Sequence, residues 1–103
     1  MENGQLPDDT LRATVKVRNP KGLHMRAAMA FAKVAAKYKA AVTVRKRDRT
    51  ANGKSGMSLM LLAAEPETEL LLEVKGEDSA TAMPVLTTAL GAPSADDLRD
   101  LLN

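Results

Sequence analysis

Nucleophilic chemistry near neutral pH has one candidate in this chain, His24, because there is no second histidine and no cysteine. It lies in Asn19-Pro20-Lys21-Gly22-Leu23-His24-Met25-Arg26-Ala27-Ala28. Asn19, Pro20 and Gly22 are turn residues. After them, Ala28, Phe31, Ala32 and Ala35 recur at helical intervals, so an apolar helix face begins just past the histidine. His24 therefore falls at or just before a helix N-terminus. Unpaired backbone N–H groups and the positive end of the helix dipole make such a place receptive to an anion. A neutral imidazole there is a nucleophile. Arg26, in the first turn, can fork onto phosphate oxygens. Together these groups suit a phosphoryl group held on histidine.

The elements that position this site can be read along the chain. Residues 1–12, polar with acids beside Pro7, are expected to form a flexible leader. Ala13-Thr14-Val15-Lys16-Val17-Arg18 reads as the first strand, and residues 25–38 as the first helix. Ala41-Val42-Thr43-Val44-Arg45 alternates as a strand; a turn near Arg47-Asp48 leads to a third, at 49–52. Ser55 is placed to cap a short helix over 56–63. In Glu69-Leu70-Leu71-Leu72-Glu73-Val74-Lys75 the alternate residues 70, 72 and 74 share a face, giving a fourth strand. A third helix starts at Asp78 or Ser79 and stops at Gly91. Pro84 either kinks it or falls in the first turn of a helix starting near Thr81. Ser94-Ala95-Asp96-Asp97, before Leu98, Leu101 and Leu102, suggests a short terminal helix outside the main body. The order β-α-β-β-α-β-α implies an α+β fold, an antiparallel sheet with helices over one face.

Composition narrows the function classes. The 103 residues fit one domain, with one Phe, one Tyr and no Trp, so Ala, Val, Leu and Met must build the core. Without cysteine there is no disulfide framework or thiolate metal site, and a single histidine argues against a transition-metal site. No apolar run is long enough to span a membrane, and the first residues lack signal-peptide character. A net charge of +2 argues no nucleic-acid partner. Arg45-Lys46-Arg47-Asp48-Arg49 is basic but has no interleaved aromatics, and solvated charge at a hairpin tip is the ordinary reading. A cytoplasmic monomer without cofactor is expected.

Gly22-Leu23-His24-Met25-Arg26-Ala27-Ala28 resembles the active-site segment of the HPr family, histidine-containing phosphocarriers of the bacterial phosphotransferase system. A second match follows in register: Asn52-Gly53-Lys54-Ser55-Gly56-Met57-Ser58-Leu59-Met60 is similar to the segment with the regulatory serine and the start of the second helix. The resemblance covers about 13–90. It implies an open-faced sandwich with strand order 1-4-2-3, an HPr-like domain over 13–91 and an extension at 92–103. It also implies that His24 takes a phosphoryl group through Nδ1 from enzyme I, charged by phosphoenolpyruvate, and passes it to enzyme IIA domains. Arg26 and the backbone N–H groups of Met25, Arg26 and Ala27 would hold the phosphoryl oxygens. Such a chain relays chemistry through a transient phosphohistidine and is no stand-alone turnover enzyme. The residue after the motif arginine is commonly proline in the family; it is Ala27 here.

Ser55 matches the serine that a dedicated kinase phosphorylates in some relatives, and it is equally a helix cap. Met57, Met60, Met29 and Lys33 are the candidates for partner binding; methionines suit a surface that receives several partners, although this spacing also suits a core. Leu59 and Leu62 are core candidates. Two other functions remain in view: a regulatory, nitrogen-type paralogue with the same chemistry, and an interaction module never phosphorylated at His24.

Overall fold

The computed structural model describes residues 10–102; the expected leader, apart from its last three residues, lies outside them. Four strands, β1 (Thr10–Lys16), β2 (Ala41–Lys46), β3 (Arg49–Asn52) and β4 (Glu69–Lys75), alternate with α1 (Met25–Ala35), α2 (Gly56–Met60) and α3 (Ser79–Leu90). A 3₁₀ turn (Ala95–Leu98) runs into a last short helix, α4 (Arg99–Leu102). The sheet is antiparallel in the order β1-β4-β2-β3. This is the expected α+β architecture, with α1, α2 and α3 over one face of the sheet.

Strand alternation sets the two faces. Val15, Val42, Val44, Leu70, Leu72 and Val74 point to the helices and are buried. Ala28, Phe31, Ala32 and Ala35 meet them from α1, as the helical spacing requires. Leu59 and Leu62 are fully buried, in line with their core assignment. On the open face Glu73 of the central strand β4 joins both neighbours, 2.9 Å from Arg12 of β1 and 3.4 Å from Arg45 of β2.

Several boundaries differ from the sequence reading. β1 starts at Thr10 instead of 13, because β4 extends to Lys75 and pairs with it residue for residue from Thr10. The leader expected over 1–12 therefore gives up its last three residues to the sheet. α1 ends at Ala35, not 38, as the N–H groups of Lys37 and Tyr38 reach back only three residues, to Val34 and Ala35. α2 likewise closes at Met60 through three-residue bonds from Leu62 to Leu59 and from Ala63 to Met60. α3 runs on both sides of Pro84 and begins at Ser79, so Pro84 sits in its second turn.

The terminal segment packs on the body instead of standing outside it. Leu98 is 2 % exposed and joins the core, and the ammonium of Lys37 donates to the Leu101 carbonyl at 2.6 Å. Part of the basic run also has structural partners. Lys46 donates to the carbonyls of Leu62 and Ala63, both at 3.1 Å, and Arg49 to that of Leu61 at 3.3 Å. These cations sit on orphan carbonyls at the end of α2, where the dipole favours them.

Asp78 does not cap α3 with its side chain. Its carboxylate accepts the N–H groups of Lys39 and Ala40, both at 2.8 Å, and so ties the α1–β2 loop to the start of α3. The Lys39 N–H chiefly, with Ala40, holds the carboxyl below its ordinary value of 3.8, while burial works against them. A depressed carboxylate pKa stabilises the fold above the unfolded-state value and loses that effect as pH falls through the folded-state value. Asp78→Asn is therefore expected to lower stability near neutral pH, with the gap to wild type closing as pH drops below 3.8. Urea denaturation across that range checks it; a pH-independent gap would assign the loss to geometry alone.

Candidate functional site

The residues before α1 form a tight loop against the segment after α2. Gly22 takes φ +70, in the left-handed region, and its N–H bonds the Asn19 carbonyl at 2.8 Å. Leu23 N–H then donates to the Ala64 carbonyl at 2.9 Å. This fixes where the chain enters the helix, and His24 becomes the N-cap of α1 in an extended conformation. Its side chain makes no capping bond, so the ring is left for other work. Ala28 N–H takes the His24 carbonyl at 2.8 Å as the first helical bond. The N–H groups of Met25, Arg26 and Ala27 precede that bond, so the helix offers them no acceptor. No acidic residue occupies the first turn to neutralise this end.

Asn19 is 7 % exposed, and its role was not read from the sequence. Its side-chain oxygen accepts the Lys21 N–H at 2.9 Å, and its amide nitrogen stands 3.3 Å from Nε2 of His24. The contact engages Nε2 and leaves Nδ1 as the uncommitted ring nitrogen. The only signal in the sequence was an asparagine in the turn before the histidine, which reads equally as turn chemistry. Arg26 is exposed in the first turn and forms an ion pair with Asp96 of the terminal segment, a contact that joins residues seventy positions apart.

Of the partner-binding candidates, Met57 is 74 % and Met29 46 % exposed, and Lys33 is exposed in the last turn of α1. Met60 departs from this set: it is half-buried and packs on the core. The helix turns it inward, one turn from Met57. Met25, 62 % exposed, and Leu61, 76 % exposed, are further exposed apolar side chains and were not among the candidates. Gly56 brings α1 and α2 together: a Cβ there would lie 2.1 Å from the Met29 sulfur and 3.2 Å from its Cα. Ser55 caps α2, its hydroxyl accepting the Ser58 N–H at 3.1 Å, as expected. Among the described residues no cluster of three His, Cys, Asp or Glu gathers as for a metal, and no helix is long and apolar enough to cross a membrane.

The comparisons with known proteins converge. The family described as "PTS HPr component phosphorylation site" matches residues 11–91. The chain is 44% identical over 77 residues to the phosphocarrier protein HPr of Neisseria meningitidis, covering 75% of this chain and 86% of that one. Against the multiphosphoryl transfer protein of Salmonella typhimurium it is 32% identical over 90 residues, which is 84% of this chain but 24% of the larger protein. Among solved structures, the HPr of Bacillus anthracis superposes with a TM-score of 0.74 at 27% identity, over 79% of this chain and 96% of the other. With its fold, its histidine-bearing helix start and these relatives in agreement, the chain belongs to the HPr family of phosphotransferase-system phosphocarriers.

Proposed function

We propose that His24 carries a phosphoryl group from a phosphorylated enzyme I, charged by phosphoenolpyruvate, to an enzyme IIA domain of a sugar phosphotransferase system. The observation that carries this reading is the His24 ring at the N-cap of α1, with Nε2 met by Asn19 and the first-turn N–H groups unclaimed by the helix. Nδ1 attacks phosphorus as the donor's P–N bond breaks. Attack uses the ring tautomer whose proton is on Nε2, so that the Nδ1 lone pair faces phosphorus. The N–H groups of Met25, Arg26 and Ala27, with the Arg26 guanidinium, bind the phosphoryl oxygens without burying them. Because Ala27 stands where relatives commonly carry proline, this chain has one more backbone donor for that purpose. The site works in the cytoplasm, where both donor and acceptor are found in such systems, and the chain acts as a monomer.

Incubation with enzyme I and phosphoenolpyruvate, followed by intact mass, tests the reading. A gain of about 80 Da, one phosphoryl group, that discharges on adding an enzyme IIA domain is the expected result. No gain would leave an interaction module. Faster charging by a nitrogen-type enzyme I than by a sugar-type one would favour the regulatory branch.

The exposed side chains of Met25, Met29, Met57 and Leu61, with Lys33 exposed on α1, are the surface that docks these partners. Flexible methionines let one surface accept more than one shape. Phosphorylation of Ser55 by a serine kinase would place a dianion beside this patch. Ser55→Asp keeps a capping oxygen, so the fold should hold, while the added charge repels a phosphorylated donor. Enzyme I affinity is expected to fall several-fold, by calorimetry at matched ionic strength. Equal affinity would leave Ser55 as a helix cap only.

A further inference from the structure

The family match ends at residue 91, yet the chain that follows reaches back to the candidate site. Three contacts lay it along α1. Leu98 inserts into the core, Lys37 near the far end of α1 holds the Leu101 carbonyl, and Asp96 pairs with Arg26 in the first turn. Ser94, Ala95 and Leu98 also line a small cavity together with Asn19, Gly22 and Ala27, so the segment abuts the histidine loop itself. The Asp96 carboxylate has a second cation at hand, Arg99, 3.7 Å away and three residues along the same segment. Arg26, Asp96 and Arg99 are all more than half exposed at the side chain, so neither pairing is locked by burial.

We propose that Asp96 is a positioning residue that acts through Arg26. Its carboxylate holds the guanidinium while His24 is unphosphorylated and yields it to the phosphoryl oxygens when His24 is charged, keeping Arg99 as its own partner. The inference rests on the carrier reading of His24. A carboxylate and a phosphoryl group compete for the same planar fork of donors, and the dianion is the stronger acceptor. The exchange lowers the net gain from phosphorylation by what the Arg26–Asp96 pair was worth. It thereby keeps the phosphoryl group easy to pass on. Leu98 and the Lys37 contact stay in place throughout, so a side-chain swap suffices and the segment need not unfold.

The full chain is charged with phosphoramidate, which loses ammonia as its P–N bond breaks and the imidazole N–P bond forms. On charging, the Asp96 carboxyl carbon and the Arg26 side-chain nitrogen resonances are expected to move together. The transfer equilibrium against enzyme I and phosphoenolpyruvate is then compared among variants. Asp96→Asn should raise the phosphorylated fraction ratio about two- to fivefold, the range an exposed ion pair supports. Asp97→Asn, the same charge change one residue along, should stay within about 1.5-fold of wild type. In an Arg26→Ala background the effect of Asp96→Asn should vanish, since the two act as one unit. High salt should shrink it. A stationary Asp96 carboxyl in a chain that does take phosphate would overturn this inference alone. So would equal effects of Asp96→Asn and Asp97→Asn, or an effect that survives without Arg26. A chain that takes no phosphoryl group at all would remove the carrier reading and this inference together.

Discussion

His24→Gln is expected to fold as the wild type does and to accept no phosphoryl group. The ring supplies no capping hydrogen bond to α1 and is only half-buried, so its loss opens no cavity in the core. Among the described residues its one side-chain hydrogen bond is the 3.3 Å approach of Asn19, which an amide can replace. Glutamine offers no nitrogen lone pair for attack on phosphorus, and the chain has neither a second histidine nor a cysteine to take over. Thermal unfolding should therefore coincide with wild type to within about 1 kcal/mol, while the mass gain with enzyme I and phosphoenolpyruvate disappears. A variant that still gains one phosphoryl group would move the chemistry to another residue.

The second large effect is structural and falls on the loop that aims the histidine. Gly22→Ala should destabilise the protein by on the order of 3 kcal/mol, combining a left-handed backbone with an overpacked contact. An added Cβ would lie 2.6 Å from the Ala64 carbonyl oxygen and 3.3 Å from Glu65 Cα, both backbone atoms that cannot rotate away. That same carbonyl receives the Leu23 N–H at 2.9 Å, so relieving the clash breaks a bond that fixes the entry to α1. Asn19, bonded to Gly22 through its carbonyl, shifts with the loop and loosens its hold on Nε2. Urea denaturation measures the first effect and single-turnover charging the second. A loss below about 0.5 kcal/mol would mean that the loop has an alternative path.

Much of this was legible in local sequence. Strand alternation placed Leu70, Leu72 and Val74 on one face, and helical spacing placed Ala28, Phe31, Ala32 and Ala35 on another, because each pattern follows from the geometry of its own element. Ser55 was legible as a cap for the same reason. What escaped depends on partners distant in the chain. β1 reaches Thr10 because Lys75 is there to pair with it, which polar residues near the start do not reveal. Asp78 was read only as a possible helix start, and the bonds its carboxylate takes from the loop at Lys39 and Ala40 were not visible in the sequence. Lys46 and Arg49 read as solvated charge until the end of α2 is set beside them. At the site, His24 and Arg26 announced themselves by type and spacing, whereas Asn19 became visible only once Gly22 folded the turn back. The apolar residues after Ser94 suggested a helix, yet their docking on α1, and with it the Arg26–Asp96 pair, is a tertiary fact.

The proposed carrier role puts the phosphoryl group on Nδ1 of His24 and its oxygens at the first turn of α1. Nitrogen and phosphorus NMR on the isotopically labelled chain, charged by enzyme I and phosphoenolpyruvate, addresses both parts at once. Phosphorus is expected to couple to Nδ1 of His24, with the amide signals of Met25, Arg26 and Ala27 displaced more than those elsewhere in α1. Phosphorus attached to any other atom, or first-turn amides that stay where they were before charging, would contradict it.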